Sequence, residues 1–66
     1  MTIIINTQSG QYTVHSVAEA TNIIQEVVQD TEKAHSLAES IYAVANSRPD
    51  GAPALIINLA KEEDNG

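Results

Sequence analysis

The sequence predicts an α+β fold in the order strand, strand, long helix, strand (ββαβ), and three observations support it. The 66-residue chain opens with a β-branched run at 2–7, which is typical of a strand. The segment 16–48 contains no glycine or proline and keeps one apolar helical phase throughout. After a turn sequence at 49–53, a second apolar run of strand length covers 54–60.

The first two predicted strands form a β-hairpin. The segment 11–15 alternates as a strand does, with Tyr12 and Val14 on one face and Thr13 on the other. The connection at 8–10 is turn-like, because Gly10 is free to take a positive φ. A two-stranded hairpin is only marginally stable in water, so we expect a third strand or a helix to cover it.

The long helix is predicted to begin at Ser16 and to end at Arg48. Ser16 and Glu19 have the spacing of a capping box, in which the hydroxyl accepts from the Glu19 amide and the carboxylate reaches back to the Ser16 amide. Pro49 biases Arg48 away from the helical conformation, which ends the helix. About 30 residues at ~1.5 Å each would make a rod roughly 45 Å long.

The alternative is a helical hairpin that breaks near residue 30, where Asp30 or Thr31 could cap a second helix. We expect the single helix, because the segment offers no glycine or proline on which to turn. Within one chain the last strand would lie beside the first. A rod about twice as long as the strands prevents this return, so the sequence predicts a strand-exchanged homodimer with antiparallel helices.

The apolar stripe of the helix is wide enough to face more than one neighbour. We expect the sheet on one side and a second copy of the chain on the other. So small a domain has little core, and without cysteine the remaining means of support is oligomerisation. The predicted oligomer interface comprises Ile24, Val27, Val28, Ala34, Leu37, Ala38, Ile41 and Tyr42.

Nine acidic residues stand against three basic ones, which makes the formal charge −6. Three scattered cations cannot neutralise a phosphate backbone, so direct nucleic-acid binding is not expected. The same charge disfavours attachment to an anionic membrane, and no segment is apolar over the length of a bilayer. We expect a cytoplasmic protein with one domain at 1–60 and a short acidic tail at 61–66.

No pattern in the sequence indicates catalysis or a cofactor. His15 and Glu19, like His35 and Glu39, stand four residues apart, but two ligands do not make a metal site and the chain has no cysteine. The serines lack an arrangement with a histidine and an acid that would activate a nucleophile. We therefore expect no enzymatic activity, no metal and no cofactor, and we interpret His35 as an interface residue.

Carboxylates border the apolar stripe on both flanks. Such a surface suits a basic groove of another protein, or imitates phosphates and blocks a protein that binds nucleic acid. In size, charge and lack of catalytic residues the chain resembles the small acidic inhibitors that phages and mobile elements encode against host defences, anti-CRISPR proteins among them. We expect a non-enzymatic protein-interaction module, with a self-assembling scaffold as the alternative. The predicted partner-binding residues are Glu19, Glu26, Asp30, Glu32 and Glu39.

Overall fold

The computed structural model describes residues 1–59 and contains three strands and two helices. These are β1 (Ile3–Thr7), β2 (Gly10–Val14), α1 (Val17–Val28), α2 (Thr31–Asn46) and β3 (Leu55–Asn58). The predicted α+β class and the N-terminal β-hairpin are confirmed. The predicted acidic tail and the domain boundary before it lie outside the described residues.

The single helix that we expected is wrong, and the alternative with a break near residue 30 is confirmed. Gln29 ends α1 in the left-handed conformation (φ 57°, ψ 33°), and its N–H donates to the Gln25 carbonyl. Asp30 then begins α2, where its side chain accepts from the Lys33 N–H. The spacing of the apolar residues could not reveal the break. The turn is formed by Gln29 and Asp30, and both positions would be polar in one continuous helix as well as in two helices.

The break removes the length conflict that led us to expect strand exchange. With 12 residues in α1 and 16 in α2, the helices are about 18 and 24 Å long, close to the roughly 17 Å of a five-residue strand. β3 therefore reaches β1 of its own chain and pairs with it in parallel, with Ile3 opposite Leu55. The strand-exchanged arrangement is wrong, while self-association itself stays a prediction.

The helices cover one face of the sheet and leave the other open. β1 is the central strand in the order β2-β1-β3, and its inward residues Ile3 and Ile5 are buried. On the opposite face Ile56 is 56% exposed. On this open face the Asn6 Nδ2 donates to the Asn58 Oδ1 at 3.0 Å. This side-chain bond links β1 to the neighbouring strand β3.

The core is small and entirely aliphatic. The largest fully buried side chains are those of Ile3, Ile5 and Ile24, and each contributes more hydrophobic free energy than any of the four buried alanines because it buries more apolar area. No polar or charged residue in the described part of the chain is buried. The buried residues are Ile3, Ile5, Val14, Ala20, Ile24, Ala34, Ala38, Ile41 and Ala45.

Candidate interaction surface

All five carboxylates that were predicted to bind a partner are exposed and lie on the helical hairpin formed by α1 and α2. Glu19 and Glu26 are seven residues apart on α1, as are Glu32 and Glu39 on α2. Seven residues make about two helical turns, or roughly 10.5 Å, so each pair lies on one face of its helix. Asp30 lies in the turn between the helices.

Glu19 has a structural role at the start of α1. The Ser16 Oγ accepts from the Glu19 N–H at 3.1 Å, which confirms the first half of the predicted capping box. The second half is wrong by one residue, because the Glu19 carboxylate accepts from the His15 N–H at 2.9 Å and not from Ser16. Ser16 is extended (φ −158°, ψ 163°), and successive N–H groups of an extended chain point in opposite directions.

The His15 contacts also determine the ionisation of Glu19. The hydrogen bond from the His15 N–H lowers the pKa of the Glu19 carboxyl, and the His15 ring, whose Nδ1 lies 3.2 Å from the same carboxylate oxygen, adds to the effect. Across the helical hairpin, burial raises the pKa of the Tyr42 hydroxyl, and the negative charge of Glu19 raises it further. Glu19 therefore interacts with His15, Ser16 and Tyr42 of its own chain.

Asp30 has a structural role as well. Its Oδ1 accepts from the Lys33 N–H at 3.1 Å, which satisfies one of the free amides in the first turn of α2. Across the same turn, the Gln25 Nε2 donates to the Thr31 Oγ1 at 2.8 Å. A change of charge at Asp30 would therefore disturb the fold as well as the surface.

Glu26 and Glu32 are the candidate carboxylates that are free to contact a partner. Within residues 1–59 neither side chain makes a hydrogen bond or an ion pair, whereas the Glu39 Oε2 lies 3.5 Å from the His35 Nε2. The pairs His15–Glu19 and His35–Glu39 do not come together in one site. No group of three metal-ligating side chains occurs in the described part of the chain.

Half of the predicted oligomer interface is internal core in this structure. Ile24, Ala34, Ala38 and Ile41 are at most 5% exposed, because the helix break lets α1 and α2 bury their stripes against each other and the sheet. Within the single chain these four residues are part of the core and have almost no exposed surface, and their role in an oligomer interface stays a prediction.

The other half of that set reaches the surface. Val27 and Tyr42 are half-buried, while Val28 and Leu37 are 37% and 38% exposed. No contact in the single chain assigns these four to an oligomer interface, so that role stays a prediction.

Besides Met1 at the start of the chain, two exposed apolar residues were missed as candidate surface residues. Val44 on α2 is 54% exposed and Ile56 on β3 is 56% exposed. Strand alternation would have indicated Ile56, because its neighbours Leu55 and Ile57 pack against the core. Val44 follows Leu37 by seven residues, so the two lie on one face of α2.

Two open cavities lie at opposite ends of the helical hairpin. One, of about 190 Å³, lies between the end of α2 and the turn at 49–53, and Arg48 and Asp50 are among its lining residues. The other, of about 290 Å³, lies where the β1–β2 turn meets the α1–α2 turn. We call the second one the turn cavity; it is lined by Thr7, Gln8, Ser9, Glu26, Val27, Gln29 and Leu59.

No protein-family model matches the chain, and no curated protein or solved structure is significantly similar to it. Within residues 1–59, no helix has both the length and the apolar character needed to cross a membrane.

Proposed function

We propose that this chain is a non-enzymatic protein-interaction module whose helical hairpin covers a basic surface of another protein. The observation behind the proposal is that Glu26 and Glu32 are exposed and unpaired within residues 1–59. They stand on helices whose connecting turn is held by hydrogen bonds. A preorganised backbone needs no ordering when a partner binds, and the carboxylates that it carries set the register and rate of association with a basic partner.

The mode of action that we propose is inhibition by occupation of a surface. Residues 1–59 contain six carboxylates against the two cations Lys33 and Arg48, so the chain attracts a basic groove over a distance of about 8–10 Å at physiological salt. A phage or mobile-element protein that fills such a groove on a host defence protein inhibits that protein without catalysing a reaction. Anti-CRISPR proteins of this general kind would act in the same way.

A self-assembling scaffold is the second candidate function. It is favoured by the exposed face of α2 that carries Leu37 and Val44, which are 38% and 54% exposed. Apolar side chains that share a face supply favourable free energy to any contact that removes them from water. In this alternative the carboxylates only border the apolar contact surface and remain in contact with water.

The test is a pull-down from the source cells with the tagged full-length chain, followed by identification of protein and nucleic acid in the eluate. We expect one stoichiometric protein partner that is released by salt. The variant Glu26→Lys/Glu32→Lys should lose this partner and keep its thermal stability. Asp50→Lys is the matched control for the change of charge per site, because Asp50 is exposed on the turn at 49–53, and it should keep the partner.

Three outcomes would contradict the proposal. Equal loss of the partner in Asp50→Lys would show that only net charge matters and that the helical hairpin is not the binding surface. An eluate that holds only the chain itself, together with loss of self-association in Leu37→Asp, would favour the scaffold. Nucleic acid as the stoichiometric species would exclude both functions.

A further inference from the structure

We propose that the turn cavity receives one lysine or arginine side chain of the partner protein. This inference rests on the proposed function and specifies how the basic partner is recognised. It combines three properties of the cavity: its size, its apolar wall and the single sign of its charge.

The volume of the turn cavity suits one long side chain. Pockets for whole small molecules measure about 300–1,000 Å³, and the turn cavity, at about 290 Å³, lies just below that range. It is a partly open cavity at the end of the helical hairpin where α1 meets α2.

The wall of the turn cavity combines an apolar part with a polar rim. Val27 and Leu59 are half-buried, and Leu59 also packs against the core. Lysine and arginine place their methylene stems along apolar surface while the charged head remains near polar groups. Val27 and Leu59 therefore supply the contact that the stem of such a side chain requires.

The charge of the turn cavity selects a cation. Among residues 1–59, Glu26 is the only ionised side chain that lines the cavity, and no lysine or arginine of that range lines it. The Glu26 carboxylate makes no hydrogen bond or ion pair with these residues. The side-chain amide of Gln29, which is also unpaired in the described part of the chain, adds an acceptor oxygen. The cavity at the other end has no such preference, because Arg48 and Asp50 both line it.

Both turns that form the cavity are held in place before any partner arrives. In the β1–β2 turn, the Thr7 Oγ1 accepts from the Ser9 N–H at 3.0 Å and donates to the Gly10 carbonyl at 3.2 Å. In the α1–α2 turn, the Gln25–Thr31 bond and the Asp30 cap fix the backbone beside Gln29. A preformed cavity binds without the cost of ordering its own walls.

The test is an NMR titration of the full-length, ¹⁵N-labelled chain with N-acetyl-arginine methylamide as the probe. We expect saturable shifts confined to the amides of the lining residues, and no such shifts with N-acetyl-glutamate methylamide. In Glu26→Gln the apparent affinity should fall about two- to fivefold, as for the loss of one exposed ion pair. Glu32→Gln is the matched control, because Glu32 is exposed and unpaired in the described region but does not line the cavity, and it should leave the affinity unchanged.

Three results would overturn the proposal. Shifts spread over all carboxylate-bearing positions would show unspecific attraction, and lining shifts that persist unchanged in Glu26→Gln would exclude recognition by charge. The chain has its own candidate occupant, Lys61, two residues after Leu59 in the sequence. Shifts at lining residues distant from it in the sequence, such as Ser9 and Glu26, caused by Lys61→Gln without any probe would assign the cavity to that lysine.

The pull-down separates failure of this inference from failure of the proposed function. If Glu26→Gln releases the partner at the same salt concentration as the wild type while Glu26→Lys/Glu32→Lys loses it, the helical hairpin binds a basic surface but the turn cavity does not hold a basic side chain. If both variants keep the partner, the proposed function fails as well.

Discussion

The Gln25 Nε2 donates to the Thr31 Oγ1 at 2.8 Å, which ties the last turn of α1 to the first residue of α2. The bond spans the turn at Gln29 and Asp30, where the chain reverses without glycine or proline. This reversal shortens the helical layer to the length of the sheet, and it places Glu26 beside the β1–β2 turn. The geometry of this one turn therefore sets both the length of the helical layer and the position of the proposed binding cavity.

Gln29→Gly is expected to stabilise the protein. Gln29 is the only non-glycine residue with a positive φ in the described part of the chain, and the left-handed region costs an ordinary residue about 1–2 kcal/mol. After the entropy that glycine loses on folding, we expect a gain of about 0.5–1 kcal/mol, or roughly 2–8 °C in Tm. Thermal unfolding followed by circular dichroism measures it.

The control for this prediction is Ala43→Gly, an exposed site inside α2, which should lose about 0.5–1 kcal/mol. A lower Tm for Gln29→Gly would show that the left-handed turn is not the conformation in solution.

Asp30→Ala is expected to destabilise the protein by about 1 kcal/mol, with a range of about 0.5–2, because it removes the N-cap of α2. Urea unfolding at neutral pH gives the free energy of unfolding. Asp50→Ala, on the exposed turn at 49–53, should change that free energy by less than about 0.5 kcal/mol. Equal effects at the two sites would mean that the loss comes from the change in net charge and not from the cap.

Stability should fall in acid partly through Glu19. The pKa of the folded Glu19 is lowered, so its ionised form is the one that the fold favours. Its contribution is complete above the pKa of an unfolded glutamate, about 4.3, and disappears as the pH falls through the lower folded value.

The measurement for Glu19 is the Tm of the wild type and of Glu19→Gln between pH 7 and pH 3. We expect the wild type to be the more stable at neutral pH and the two curves to converge at the acidic end. A constant difference across the whole range would place the origin of the Glu19 effect in packing and not in ionisation.

Ile24→Ala is expected to cost about 2–5 kcal/mol, because Ile24 is 0% exposed in the core of the single chain. Val44→Ala, at a residue that is 54% exposed, should cost less than about 0.5 kcal/mol. Both values come from urea unfolding at several protein concentrations. A loss at Ile24 that grows on dilution would place this residue in an oligomer interface, as the sequence had led us to expect.

Much of the local structure could be predicted from the sequence. The β-branched run placed β1, the alternation around Tyr12 placed β2, and the Ser16 cap marked the start of α1. The carboxylate candidates were found on exposed positions, but their individual roles were not predicted, because caps such as Asp30 depend on where a helix begins. The turn cavity could not be predicted at all, since its walls come from three separate parts of the chain.

By itself the sequence determined the element types, the acidic surface and the need to bury a broad apolar stripe, because these follow from local propensity, charge and periodicity. Only the tertiary structure decided that the stripe is buried within one chain. The left-handed Gln29 is unfavourable in isolation, and it is tolerated because the reversal packs α1 on α2 and brings β3 back to β1. No local pattern contains that compensation, because it comes from contacts between residues distant in the sequence.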